Sequence, residues 1–241
     1  MIPGRFENKY ALSEELAERV LERARPFLMP DRGINGPQRI TSLYLETPDL
    51  TFYQWQNDRR NDRFKLRIRG YGEPPSNCVF VEIKRKTGDL VRKERAEVAL
   101  QGLSAKLGCV EASDSPALQE FVKTHHDLGA HPRILVSCLR TALRDNNTYG
   151  EIAVTVDREI VCQPISEYDL AGNSTAWRPL ALPNNTTAIV ELKYVYQPPV
   201  WMAALMVELA DYRVRFSKYG TAIEQYVAER QEAALLTASN G

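Results

Sequence analysis

The sequence predicts an α+β protein with enough antiparallel strands to close a barrel, flanked by helices. Two observations indicate this class. Strand-like segments dominate the middle of each half of the chain, and helix-like segments lie at the edges. Charged and aliphatic side chains also alternate along several of the strands. The 241 residues suit one domain, 1–241, because single-domain barrels commonly reach roughly 200–250 residues.

The elements of the first half follow from local patterns. Phe6–Ala11 alternates as a short strand does. A helix is predicted over Ser13–Phe27, because Ser13 can cap it, two glutamates follow and apolar residues recur at helical spacing. Four strands are then predicted at Ile40–Leu45, Phe64–Tyr71, Val79–Arg85 and Val91–Leu100.

The second half begins with helical character over Leu103–His125, interrupted near Ser113–Pro116. Strand character returns three times, at Arg133–Arg144, Glu151–Ile160 and Thr187–Tyr194. Two helices end the chain, at Val200–Leu209 and Lys218–Leu236. The helices are therefore expected to cover the outside of a sheet formed by both halves.

Composition narrows the class of protein. Lys+Arg and Asp+Glu are both 31, so the net charge gives no indication of a nucleic-acid or membrane surface. The four cysteines are widely spaced and predict neither a zinc site nor a disulfide framework. No apolar run reaches the roughly 18 residues of a membrane span, and the first residues lack a signal core. We therefore expect a soluble, cytoplasmic protein without a membrane span.

Several strands carry cations on one face. In Lys65-Leu66-Arg67-Ile68-Arg69, three cations share one face and two aliphatic residues share the other. Between Asp58 and Arg95 the cations outnumber the acids two to one. Such a face repels itself unless it binds an anion. Related charge patterns occur at Glu7/Lys9, Glu82/Lys84/Lys86, Lys93/Arg95 and Glu191/Lys193.

A barrel with a charged interior explains this pattern, because a protein-walled cavity focuses the field of like charges on a multiply charged anion. Arginine offers a planar fork of donors to phosphate oxygens, and lysine offers a compact point charge. The acids on the same faces can join phosphate oxygens in coordinating Mg²⁺ or Mn²⁺.

An ordered series of motifs matches a known family. The chain resembles the VTC-type polyphosphate polymerase domain of the triphosphate tunnel metalloenzyme (CYTH-like) superfamily over roughly residues 5–230. Glu-x-Lys alone has little specificity; the order and spacing of the motifs carry the resemblance. The motifs are Phe6–Tyr10, Ser42–Thr47, Lys65–Gly72, Val81–Lys84, Arg92–Arg95, Ser137–Leu143, Val156–Arg158, Val190–Lys193 and Arg215–Lys218.

The resemblance implies a tunnel barrel, usually of eight antiparallel strands, that transfers the γ-phosphoryl group of ATP onto polyphosphate with Mn²⁺ or Mg²⁺. It implies Glu191 as the metal carboxylate, with Glu7 and Glu82 as further metal candidates. The implied phosphate-binding residues are Lys9, Arg67, Arg69, Lys84, Lys93, Arg95, Arg140, Lys193, Arg215 and Lys218. Seven of these are also implied as catalytic: Lys9, Arg67, Arg69, Lys84, Lys93, Arg140 and Lys218.

The chain departs from the family pattern at Arg5, where the wider superfamily often has the first glutamate of Glu-x-Glu-x-Lys. Fewer acids for metal favour a polymerase over a triphosphatase. Two other functions stay open: a tripolyphosphatase or nucleoside triphosphatase that uses water as acceptor, and a polyphosphate-binding module without catalysis. Binding of single-stranded nucleic acid by basic strands with nearby aromatic residues is not expected, because the cations would face inward and the net charge is zero.

Overall fold

The structure of the protein is a computed structural model that describes residues 4–109, 111, 114–145 and 152–239, without the side chains of Arg32 and 233–239. It contains ten strands within these residues. They are β1 Phe6–Leu12, β2 Met29–Pro30, β3 Gln38–Glu46, β4 Asp62–Tyr71, β5 Cys78–Thr87, β6 Leu90–Ala99, β7 His131–Arg144, β8 Ala153–Pro164, β9 Arg178–Pro179 and β10 Ala188–Tyr194.

All ten strands belong to one antiparallel sheet. The eight long strands are hydrogen-bonded in the order β1-β10-β8-β7-β3-β4-β5-β6, while β2 pairs with β7 and β9 pairs with β8. The α+β class is therefore confirmed, and each long strand predicted from the sequence is present. Glu151, the predicted first residue of one strand, lies outside the described residues, and that strand begins at Ala153.

The two edges of this sheet meet at one point. Arg5, just before β1, exchanges two backbone hydrogen bonds of 3.0 and 2.9 Å with Val91 in β6. Among the described residues no ladder extends from this bridge along the edges of β1 and β6. The sheet thus curls until its edges touch, but a barrel closed by continuous strand pairing is not confirmed.

Six α-helices lie around the sheet in the described part of the chain. They are α1 Glu14–Ala24, α2 Thr51–Asn57, α3 Leu103–Gly108, α4 Pro116–Asp127, α5 Val200–Glu208 and α6 Lys218–Ser239. The predicted cap of the first helix is confirmed, since Ser13 Oγ accepts a hydrogen bond from Leu16 N at 3.3 Å. The predicted break before Pro116 separates α3 from α4, although Ser113 itself lies outside the described residues.

Buried apolar side chains form two cores against the sheet. Helices α1 and α5 supply Val20 and Leu205 to the core over β1, β8 and β10, where they meet Val190 and Leu192. The second core includes Phe121 of α4 and extends to the inner face of the sheet at Tyr44, which packs on Tyr219 of α6. Because successive strand residues point to opposite faces, the charged neighbours of Val190 and Leu192 face the inside of the sheet.

Helix α2 was not predicted from the sequence. Its N-cap residue, Leu50, has a left-handed φ of 61° and offers no side-chain cap. The carboxylate of Glu46 replaces the cap, accepting hydrogen bonds from the backbone N–H groups of Phe52 and Tyr53 at 3.0 and 2.9 Å. The same carboxylate accepts a hydrogen bond from the Tyr219 hydroxyl, which joins α2 to α6.

Within the part of the chain that the structure describes, none of the helices combines the length and the apolar character needed to cross a bilayer.

Candidate functional site

The inner face of the curled sheet surrounds a cavity of about 1240 Å³. Lysines and arginines dominate its wall, and few carboxylates line it. The segment 213–218 and the first turn of α6 form part of the wall, so the lining is not made by strands alone. The lining cations are Arg5, Lys9, Arg59, Arg63, Lys65, Arg67, Arg69, Lys84, Lys86, Lys93, Arg95, Arg140, Arg144, Lys193, Arg213, Arg215 and Lys218.

Three lysines form a row across β4, β5 and β6. Lys84 lies directly opposite Lys65 on one side and Lys93 on the other. Directly opposed like charges destabilise a sheet. Burial lowers the pKa of all three amines, to about 7 at Lys93 and well below the usual value at Lys65. The row therefore places positive charges close together. A bound anion would offset the electrostatic cost of this arrangement.

Lys65 is held without a carboxylate partner among its described contacts. Its Nζ donates to Ser217 Oγ at 2.8 Å and to the Gln56 side chain, and it lies 4.7 Å from the centre of the Tyr219 ring. These neighbours come from α2 and the start of α6. The site thus includes an amine that only neutral groups contact among the described residues.

Four residues of β1 and β10 form a square of alternating charge on the cavity wall. Glu7 is directly opposite Lys193, and Lys9 is directly opposite Glu191. Glu191 contacts Lys193 Nζ at 2.7 Å and Lys9 Nζ at 3.4 Å, while Glu7 contacts Lys84 Nζ at 2.7 Å. Burial raises the pKa of both carboxyls, but the surrounding lysines more than offset it, so both pKa values lie below the usual range.

Glu82 shares a face of β5 with Lys84, but it does not itself line the cavity. Its side chain is 0% exposed, and its Oε2 accepts a hydrogen bond from Arg67 Nε at 2.5 Å. Its other oxygen, Oε1, lies 3.4 Å from Lys93 Nζ and accepts no hydrogen bond. Burial raises the pKa of Glu82, yet Arg67 and other cations lower it to well below its usual range, so the carboxylate is ionised.

Asp157 occupies the equivalent place on the opposite part of the sheet. It is 0% exposed and takes two hydrogen bonds from the guanidinium of Arg140, including Nη2 to Oδ2 at 2.6 Å. The ammonium of Lys218 contacts the same carboxylate. Burial opposes ionisation, but Arg140 and Lys218 hold the pKa of Asp157 far below its usual range.

Three of the predicted phosphate-binding cations have no carboxylate contact among the described residues. Arg69 donates to Ser42 Oγ at 3.3 Å, and the guanidinium of Arg95 lies 3.6 Å from the centre of the Phe80 ring. Arg215 is exposed, lines the cavity and makes no side-chain hydrogen bond or ion pair with the residues that the structure describes. Buried Tyr44 accepts a 3.4 Å hydrogen bond from Arg67, and although burial raises its pKa, Arg67 and Arg69 bring it below the usual value.

The structure brings nearly all of the predicted site residues to one cavity. All ten predicted phosphate-binding cations line it, as do Glu7 and Glu191, whereas Glu82 does not. Lys65 and Asp157 were not among the predicted site residues. Lys65 shares a strand face with Arg67 and Arg69, so its spacing could have identified it. Asp157 is the buried acid of strand β8, next to the apolar residue Val156, and a buried acid needs a cationic partner.

The donor set limits how a metal can be held. Among the described residues no cluster of three or more His, Cys, Asp and Glu side chains could hold a metal ion. Glu7 and Glu191 lie diagonally on neighbouring strands, and each raises the electrostatic cost of ionising the other. Mg²⁺ is commonly bound by one or two carboxylates together with substrate phosphates. Two carboxylates in a cation-lined cavity fit that mode of binding, and they do not fit a dedicated protein cage.

A family model described as VTC domain matches residues 4–227. The chain belongs to the VTC domain family. This confirms the family predicted from the sequence motifs. No curated protein sequence matches the chain.

Solved structures of low sequence identity also match this VTC domain. An adenylate cyclase candidate from Vibrio parahaemolyticus has a TM-score of 0.48 and 12% identity, over 92% of this chain and 98% of that chain. An adenylyl cyclase candidate from Hippeastrum, described with a dominant triphosphatase activity, has a TM-score of 0.49 and 11% identity, over 93% of this chain and 96% of that chain. The family assignment rests on the family model.

Proposed function

We propose that this VTC domain is a polyphosphate polymerase that transfers the γ-phosphoryl group of ATP onto a polyphosphate chain inside the basic cavity. The observation that carries the proposal is the cation-lined cavity with the opposed lysines Lys65, Lys84 and Lys93. A folded protein tolerates such repulsion more easily when a polyanion compensates it. Family membership and the small number of lining carboxylates favour a phosphate-chain substrate.

The triphosphate would lie along two parts of the wall. Arg67, Arg69, Lys84 and Lys93 grip it from β4, β5 and β6, and Arg140, Arg215 and Lys218 grip it from the other side. The remaining predicted ligands, Lys9, Arg95 and Lys193, extend the basic surface for a longer chain. In this proposal the curled sheet acts as a closed tunnel whose seam lies between β1 and β6.

Glu191, assisted by Glu7, would hold Mn²⁺ or Mg²⁺ together with phosphate oxygens. When bound, such an ion neutralises charge that develops on the phosphates. The lysines beside these carboxylates keep both of them ionised and available at neutral pH. Because Lys9 and Lys193 flank Glu191 on the same face, they also place positive charge next to the substrate oxygens.

The reaction needs positioning more than covalent help from the protein. A terminal oxygen of the polyphosphate chain attacks the γ-phosphorus of ATP. The bond from that phosphorus to the β–γ bridging oxygen breaks, and ADP leaves with the electron pair. The attacking oxygen is already ionised, so no general base is required. The cations on both walls stabilise charge on the transferred group and on the leaving diphosphate.

Incubation of the purified protein with ATP and Mn²⁺ tests this function directly. The products are separated on a polyacrylamide gel stained for polyphosphate, and free phosphate is measured in parallel. We expect long chains that appear only when both ATP and the metal are present. Free phosphate without chains would assign the protein to the hydrolases instead. Tight binding of triphosphate without turnover would assign it a binding role.

A further inference from the structure

We propose that Glu82 and Asp157 are positioning residues, each of which holds a pair of cations in place for the phosphate chain, and that neither is a metal ligand. This inference rests on the proposed phosphate-binding function. Both carboxylates are 0% exposed, whereas their cationic partners are partly open to the cavity. The two acids therefore face protein cations and not the substrate.

The strand register explains why each acid holds its partners so well. Glu82 of β5 is directly opposite Arg67 of β4, and Asp157 of β8 is directly opposite Arg140 of β7. Each carboxylate then reaches a second cation from another element, Lys93 in the first case and Lys218 in the second. The outcome is the same on both parts of the wall: an arginine and a lysine are tied to one buried anion.

This arrangement leaves donors free for phosphate. A guanidinium carries five N–H donors in a rigid fork. Asp157 takes the Nε and Nη2 edge of Arg140, so Nη1 stays available to the cavity. Glu82 takes Nε of Arg67, which fixes the plane of the fork beside the cavity. Supporting contacts of this kind hold binding groups in the geometry that a ligand requires.

The acids proposed to bind metal differ from the two buried acids in their position relative to the cavity. Glu7 and Glu191 line the cavity, and Glu82 and Asp157 do not. An ion held by phosphate oxygens in the cavity can reach only carboxylates that line it. The sequence-based prediction that Glu82 binds metal is therefore replaced here by a role in fixing Arg67 and Lys93.

A positioning role and a simple charge effect of these two acids predict opposite changes in the affinity for a polyanion. Glu82→Gln and Asp157→Asn keep the side-chain size but remove one negative charge from the site. If only net charge mattered, both variants would bind a polyanion more tightly than the wild type. If the acids position cations, both variants bind it more weakly, because the partner arginine and lysine lose the anion that orients them.

The experiment measures binding of inorganic tripolyphosphate by calorimetry, first without metal and then with increasing Mn²⁺. The proteins are the wild type, Glu82→Gln, Asp157→Asn and the control Asp89→Asn. Asp89 also lines the cavity, but its side chain is 88% exposed and pairs with Lys86 at 3.6 Å, its one ion pair among the described residues. We expect about tenfold weaker metal-free binding for the two buried variants, a scale typical of lost supporting contacts. The control should bind at least as tightly as the wild type.

The inference is overturned if both buried variants bind tripolyphosphate without metal as tightly as the wild type or more tightly. It is also overturned if the variants require a different Mn²⁺ concentration for metal-dependent binding. Absence of tripolyphosphate binding by the wild type overturns the proposed function instead. A third variant, Glu82→Asp, covers the case in which Glu82→Gln does not fold. It keeps the charge and shortens the side chain, so positioning again predicts weaker binding, whereas a pure charge effect predicts no change.

Discussion

Lys65 and Lys84 lie directly opposite each other in the β4–β5 ladder, although like charges in this position repel. Neither a carboxylate nor a helix C-terminus compensates Lys65 among its described contacts, which are Gln56, Ser217 and the Tyr219 ring. The protein thus stores electrostatic strain on the wall that faces the cavity. Removal of the Lys65 charge should relieve that strain when no anion is bound.

Lys65→Met is therefore expected to stabilise the ligand-free protein while weakening its binding of tripolyphosphate. Relief of about 1 kcal/mol would raise the Tm by about 2–4 °C for a chain of this size. Thermal unfolding with and without tripolyphosphate measures both effects. Lys123→Met is the matched control, since Lys123 is exposed on α4 and pairs with Asp127. A lower Tm for Lys65→Met in ligand-free buffer would contradict the prediction.

The stability of the ligand-free protein should rise with pH between about 7 and 10. Burial lowers the pKa of Lys93 to about 7 from its usual 10.5. Between these values the unfolded chain binds a proton that the folded chain has released, so the free energy of unfolding increases with pH. Thermal unfolding at constant ionic strength tests this at pH 7 and pH 9. Lys93→Met should flatten the rise, and an unchanged slope in that variant would show that Lys93 isn't its source.

Glu191→Gln should abolish turnover and leave measurable binding of triphosphate. The substitution removes the carboxylate proposed to hold the metal, while Arg67, Arg69 and the other cations stay in place. Product formation from ATP and Mn²⁺ measures the first effect, and calorimetry measures the second. Glu94→Gln is a suitable control, because Glu94 contacts Arg85. Full activity of Glu191→Gln would remove Glu191 from the metal site.

Arg67→Ala should weaken binding and turnover together. The side chain lines the cavity and its lost charge-assisted hydrogen bonds are each worth about 1.5–3 kcal/mol. We expect at least a tenfold loss in the affinity for tripolyphosphate and a parallel loss in kcat/KM for ATP. Arg85→Ala serves as control, since Arg85 pairs with Glu94 and Glu120. Unchanged affinity in Arg67→Ala would exclude it as a phosphate ligand.

Much of the fold was predictable because its signals are local. Alternation identified the long strands, and Ser13 identified the start of α1. Helix α2 was missed because its cap comes from Glu46, a residue of the preceding strand whose carboxylate reaches the helix only after folding. The aromatic-rich segment Thr51–Asn57 has no helix signal of its own that could compensate.

The candidate site was predictable to the extent that its residues alternate along single strands. Lys9, Arg67 and Glu191 carry that signal, together with the order of the family motifs. The partners of each charge were not predictable, because they depend on which strands become neighbours. Asp157 and Arg140 are 17 positions apart in sequence, and only the register of β7 with β8 brings them together. The absence of Glu82 from the cavity lining also depends on its strand neighbours, so it was not predictable from the sequence.

The Arg5–Val91 bridge joins the two edges of the sheet at one point, so the wall of the cavity is not a continuously hydrogen-bonded ring. The gap between β1 and β6 can widen when one pair of backbone hydrogen bonds breaks. The other neighbouring long strands are joined by ladders of several residues. The side chains of Glu7 on β1 and Lys84 on β5 reach across this gap and meet at 2.7 Å. If phosphate binds as proposed and draws Lys84 away from Glu7, we expect this ion pair to weaken, so that the width of the cavity depends on whether it holds an anion.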